Sequence, residues 1–221
     1  MRKMISFSIV LLAGLSGGYA AAEDAPSPSL TAEEHAELIR LLDESFDKLM
    51  GLITGLSDEQ WNFKQNPDRW STGECAEHIV RSETALLDAA MRALSGDPDP
   101  EWQERTKGKT ALLRQIMPNR GAMGAGGATA PMEIRPSEKW GRGKAIAEFY
   151  KIRGEVRGYA ETLDETGRSG GRPIKEYTEE HPFPVFGWLS AHDWLLYIPL
   201  HTIRHSKQII EVQEDENFPE G

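Results

Sequence analysis

The chain has 221 residues, 27% of them charged, and a formal net charge of −10. That length is enough for one domain with a sizeable core. The acidic balance argues against partners held by a phosphate backbone and against attraction to anionic lipid. The single cysteine, Cys75, excludes an intrachain disulfide, a cysteine-rich zinc site and covalent haem attachment.

Residues 1–22 read as a secretory signal peptide. Arg2 and Lys3 precede an apolar stretch from Met4 to Leu15, and the small run Ala20-Ala21-Ala22 offers an Ala-x-Ala-like cleavage site. The apolar stretch is short for a membrane span. Cleavage would remove two basic and no acidic groups, making the mature chain more acidic still. A periplasmic or secreted location is expected, with no membrane attachment after removal of the signal. Residues 23–30 carry two prolines and two serines and read as a disordered linker.

The domain proper is expected over 31–216. Thr31-Ala-Glu-Glu34 has the spacing of a capping box, in which hydroxyl and carboxylate satisfy the free N–H groups at a helix start. Leu38, Leu41, Leu42, Ser45, Leu49 and Leu52 then recur at three- and four-residue steps, predicting an amphipathic helix over 31–55. His35, in its first turn, is expected on the surface. Trp61, Phe63 and Trp70 read as cover for the end of a helical bundle, with the lining of a ligand pocket as the alternative.

Ser71-Thr-Gly-Glu74 is a second capping box, and the helix after it should run to Ser95 before Gly96, Pro98 and Pro100. Cys75, His78, Ser82, Ala85 and Ala89 share one narrow face, which turns His78 inward beside small residues. Residues 97–136 form a long irregular connection with a short helix over Thr110–Met117. The glycine- and alanine-rich stretch Gly121–Ala130 reads as a loop over one end of the bundle. It lacks the lysine of a phosphate loop.

A third long helix is expected from Ser137 or Lys139 to Leu163, ended by Gly167, Gly170, Gly171 and Pro173. Glu180-His-Pro-Phe-Pro184 reads as an extended loop, with His181 near the rim of the domain. The fourth helix should start near Phe186 or Trp188 and end near Glu214. Trp194, Ile198, His201, His205, Gln208 and Val212 lie along one of its faces, and Pro199 interrupts its hydrogen bonding just before His201. No strand-like alternation is evident. The expected class is all-α, a bundle of four long helices.

His201-Thr-Ile-Arg-His205 carries the chemistry. Histidines four residues apart on a helix sit one turn apart on the same face, so both imidazoles can address one metal ion. With His78 from a facing helix they would make a three-histidine floor for zinc or a similar divalent ion, leaving one position open for water or substrate. The plainer alternative is three histidines packed in a core. Non-covalent haem fits less well, because imidazoles one turn apart cannot be opposite axial ligands. Glu74, one turn before His78, is either a carboxylate that orients an imidazole or acts as a base, or only the second half of its capping box. Arg81 and Arg204 read either as holders of an anionic substrate group or as surface charge. His192, nine residues before His201, faces the other side of its helix.

Two segments carry a family resemblance. Trp70-Ser-Thr-Gly-Glu-Cys-Ala-Glu-His78-Ile-Val-Arg-Ser-Glu83 resembles the second-helix signature of the DinB-like family. Trp194-Leu-Leu-Tyr-Ile-Pro-Leu-His201-Thr-Ile-Arg-His205-Ser-Lys-Gln208 resembles its fourth-helix signature. The order of elements from Thr31 to Val212 also fits. The resemblance implies an up-and-down four-helix bundle holding a divalent metal, zinc or nickel in many members, through His78, His201 and His205. It further implies thiol-dependent S-transfer or isomerisation with a low-molecular-weight thiol in some relatives, and frequent homodimers; a small-molecule substrate of unknown identity is the expected partner.

Overall fold

The computed structural model describes residues 27–119, 130–163 and 173–221. Four long helices dominate: α1 (Ala32–Ile53), α3 (Thr72–Ser95), α6 (Arg142–Glu161) and α7 (Ala191–Gln213). Shorter helices lie between them: α2 (Asp58–Asn62), α4 (Trp102–Arg105) and α5 (Lys109–Ile116). The protein is all-α in class, with α1 and α3 each packed against both α6 and α7. The expected signal peptide lies outside the described residues, as does nearly all of Gly121–Ala130. No helix among the described residues is long and apolar enough to cross a membrane.

The helix starts follow their capping chemistry. In α1 the Thr31 hydroxyl accepts from the Glu34 amide at 3.2 Å while the Glu34 carboxylate accepts from the Thr31 amide at 2.8 Å. Ser71 and Glu74 repeat the arrangement at the start of α3. Helix α7 begins later than its apolar pattern suggests, because Ser190 and Asp193 build a capping box there. Helix α6 also begins late. The amides of Ser137 and Glu138 donate to the Glu77 carboxylate at 2.8 and 3.0 Å, and Lys139 has a left-handed φ of 51°. Those residues are thereby held out of helical geometry.

Four expectations need correction. The end of the 23–30 segment is packed, not free: Leu30 is buried, and the Pro28 carbonyl accepts from the Lys175 amide at 2.9 Å. His35 is half-buried, and its Nε2 reaches the Ala160 carbonyl at 3.0 Å. His181 is buried rather than at the rim. Two strands are present, β1 (Thr178–Glu180) and β2 (Trp188–Ser190), paired antiparallel with Glu179 opposite Leu189. Three residues are too few to show an alternation in sequence. The turn between them closes where the His181 amide donates to the Gly187 carbonyl at 2.8 Å, and Gly187 takes a left-handed φ of 58°.

The core is mostly aliphatic, with one buried ion pair at its centre. Glu83 of α3 and Arg153 of α6 are 0% and 4% exposed. Arg153 bonds both carboxylate oxygens of Glu83, the Ser45 hydroxyl (2.8 Å) and the Leu42 carbonyl of α1. The Thr202 hydroxyl of α7 donates to Glu83 at 2.6 Å. Removing one partner of such a pair strands a charge in low dielectric, at a cost of about 3–5 kcal/mol, whereas replacing both is far milder. Denaturant unfolding of Arg153→Met should therefore show a loss of that order. The double variant Glu83→Leu/Arg153→Met should recover most of it.

Candidate metal centre

Helices α3 and α7 form the most extensive packing pair in the fold, and the histidines lie on their seam. Nitrogen atoms of His78, His201 and His205, one from each ring, lie within 4.8 Å of one another. Ring centroids are 5.1 Å apart for His78–His201, 4.5 Å for His78–His205 and 4.4 Å for His201–His205. All three rings are buried. The structure thus brings together the three histidines that the sequence pattern singles out.

Two of the rings are fixed by hydrogen bonds at Nδ1. That of His78 lies 2.7 Å from the Ile134 carbonyl, and a carbonyl can only accept, so Nδ1 carries the proton. That of His205 lies 2.9 Å from Oε1 of Gln208. Each ring then presents an unprotonated Nε2, the form that ligates a metal. His201 differs: its Nδ1 is buried without a hydrogen-bond partner among the described residues. Leaving a buried polar nitrogen unpaired costs about 1–3 kcal/mol. Three neutral imidazoles with converging nitrogens, one of them orphaned, are a donor set that fits a divalent ion.

The electrostatics keep the rings neutral. Burial lowers the pKa of His78 to about 4 against the opposing pull of the Ile134 carbonyl. Burial also holds His201 and His205 well below the usual histidine value. The neighbouring histidines and Arg204 add to the depression, and Gln208 opposes it at His205. Arg204 is not surface charge: it is buried and donates to the Asn119 carbonyl at 2.7 Å. Arg81 is occupied by carboxylates, at 2.9 Å from Glu77 and 3.0 Å from Glu138.

Glu74 does not join the cluster. Its carboxylate accepts from the Ser71 amide at 2.9 Å and pairs with Lys64 at 2.8 Å. His192 is also buried, but it lies in the wall of a separate cavity with Glu34 and Lys175. Trp70 belongs at the centre rather than only at the end of the bundle, with its ring 4.7 Å from His78 and 6.2 Å from His205. Trp61 is a core residue that donates to the Trp140 carbonyl at 2.9 Å and packs over Gly73, where any Cβ would collide with the indole. Two supports carry no role in the sequence pattern: the Ile134 carbonyl, and Gln208, which the pattern places only on the histidine-bearing face. Gln208 was open to discovery, since it lies one turn beyond His205.

Helical bundle, α3–α7 seam and three converging imidazoles define an all-α protein with a cluster able to hold a metal. The family model described as the DinB superfamily matches residues 41–209, and the chain belongs to that superfamily. It is also similar to a Bacillus subtilis (strain 168) protein described as "Uncharacterized protein YuaE". The two are 23% identical over 163 residues, covering 73% of this chain and 88% of the relative. No solved structure matches the chain significantly.

The lowered histidine values carry a pH consequence. His78 and His181 are each shifted from 6.5 to about 4, in both cases chiefly by burial. Between those limits the unfolded chain takes up protons that the folded chain refuses, so stability falls as pH drops through that window. Thermal melts of the metal-free protein should show a declining melting temperature from about pH 6.5 to about pH 4. The decline should be shallower in His181→Phe.

Proposed function

We propose that this protein is an exported metal-dependent hydrolase or transferase. Its centre is a single divalent ion, zinc or nickel, held by His78, His201 and His205. The observation that carries the reading is the convergence of three buried, neutral imidazoles, with the Nδ1 of His201 left without a hydrogen-bond partner among the described residues. As a packed core this arrangement is costly, and as a ligand set it is complete. Bound there, the ion would supply Lewis acidity and lower the pKa of a coordinated water or thiol.

The chain's own residues supply the rest. The Ile134 carbonyl and Gln208 fix the ring orientations of His78 and His205 and raise their basicity as ligands. Trp70 covers two of the rings and limits the approach of water from its side. Residues 1–22 support export through their signal-peptide pattern. A small-molecule substrate is the partner this reading implies.

Protein purified without a histidine tag should hold, or take up, close to one equivalent of zinc or nickel. Less than about a tenth of an equivalent, with no uptake on addition, would rule the site out, because a preformed site of this kind binds tightly. At a hundredfold excess of free metal over Kd, binding to the native state is worth about 2.7 kcal/mol. That is roughly 5–10 °C in melting temperature for a domain of this size. His78→Ala, His201→Ala and His205→Ala should each lose most of this response. The double variant His201→Ala/His205→Ala should lose little more than either single one. His192→Ala should keep the full metal response even where its own melting temperature drops. Turnover on a panel of esters, amides and thiol conjugates separates an enzyme from a metal-binding module.

A further inference from the structure

A cavity of about 210 Å³ opens beside the histidine cluster, and His201 belongs to the wall of both. One side is helix α3, where Ser82, Ala85, Leu86 and Ala89 leave room by being mostly small. The opposite side is a wall of rings from Phe183, Trp194 and Tyr197. His181 stacks on Trp194, with centroids 5.0 Å apart and planes at 16°. Ile134, whose carbonyl orients His78, closes a third side.

Among the described residues the inner wall carries no charge. Burial keeps His181 neutral and holds the Tyr197 hydroxyl protonated. The two charged residues in the lining, Arg92 and Glu133, are exposed, and Arg92 is already paired with Glu179 at 3.1 Å. A charged group seated against the inner wall would lose its water and find no counter-ion there among the described residues. A flat apolar group would meet ring faces and edges, which favour aromatic partners. Size narrows the choice further. A cavity of about 150 Å³ holds benzene, so this one accommodates a single ring with a short substituent.

We propose that this cavity binds an uncharged single-ring aromatic group of the substrate, placing the adjoining polar group of the same molecule at the histidine cluster. The proposal rests on the metal reading of that cluster. It makes the cavity the specificity pocket of the centre.

Two hydroxamates with the same metal-seeking head test it. Acetohydroxamate and benzohydroxamate are titrated into zinc-loaded protein by calorimetry. Burying the ring should make benzohydroxamate the tighter ligand by about tenfold or more. Ala85→Leu and Ala89→Leu fill the cavity from α3 and should bring the ratio to within about twofold. Metal content and melting temperature show whether each variant is folded. Equal affinities in the parent overturn the proposal, as does a ratio that survives both substitutions. A second titration separates this failure from that of the metal reading. Benzyl alcohol is added to metal-free protein, and the tryptophan indole N–H signals are followed by NMR. Saturable binding that the α3 substitutions abolish supports the pocket even if no metal is taken up, in which case the metal reading alone falls. Absence of saturable binding overturns the pocket and leaves the metal reading standing.

Discussion

Arg153 is the side chain on which the bundle converges. From α6 it reaches a carbonyl and a hydroxyl on α1 and both carboxylate oxygens of Glu83 on α3. Thr202 of α7 closes the circle on Glu83. Four helices packed only by aliphatic side chains can slide by a turn against one another at modest cost. A buried carboxylate and guanidinium cannot, because any other register leaves them unpaired in low dielectric. The pair therefore sets the relative register of the elements that must bring histidines together.

The consequence for the site is direct. Thr202 is the residue after His201, and Glu83 is five residues after His78. Fixing Thr202 against Glu83 fixes the two histidine-bearing helices within about a turn and a half of the cluster. A second buried carboxylate acts on the connection between α3 and α6. Glu77 accepts from the amides of Ser137 and Glu138 and from Arg81. Burial pushes its pKa up, yet these donors together hold it below the ordinary value. That anchors the stretch just after Ile134, whose carbonyl orients His78. The described end of the connection thus borders the histidine cluster, and its position depends on a charge on α3.

The long helices and the cluster were legible because both depend on local spacing. Capping boxes at Thr31 and Ser71, leucines at helical steps and His201/His205 one turn apart are all patterns within a few residues. The boundaries that shifted did so through distant contacts. Lys139 leaves helical geometry within a segment held by Glu77, some sixty residues earlier, and Trp188 pairs in a strand with Glu180. His35 and His181 looked peripheral by position in sequence. One reaches the Ala160 carbonyl and the other stacks on Trp194, contacts that no periodicity reports. The Glu83–Arg153 pair was hidden for a different reason: charged residues are assigned to the surface by default, and only the fold shows that they face each other.

The cluster itself is asymmetric, and the asymmetry follows the cavity. His78 and His205 are each held at Nδ1 by a neutral acceptor, a backbone carbonyl in one case and a side-chain amide in the other. His201, the ring shared with the cavity wall, has its buried Nδ1 without such a partner among the described residues. Hydrogen bonds at the remote nitrogen rigidify an imidazole and raise its donor strength, so the two tied rings are the firm part of the floor. The third ring packs against Tyr197 at 6.0 Å and against its two histidine neighbours, with no hydrogen bond at Nδ1 among the described residues. Rotation of that ring costs no hydrogen bond at Nδ1, and it borders the space where a ligand would enter. Of the three rings, His201 is the one the cavity reaches, so a ligand entering there would meet the ring whose Nδ1 no described residue holds, with His78 and His205 tied behind it.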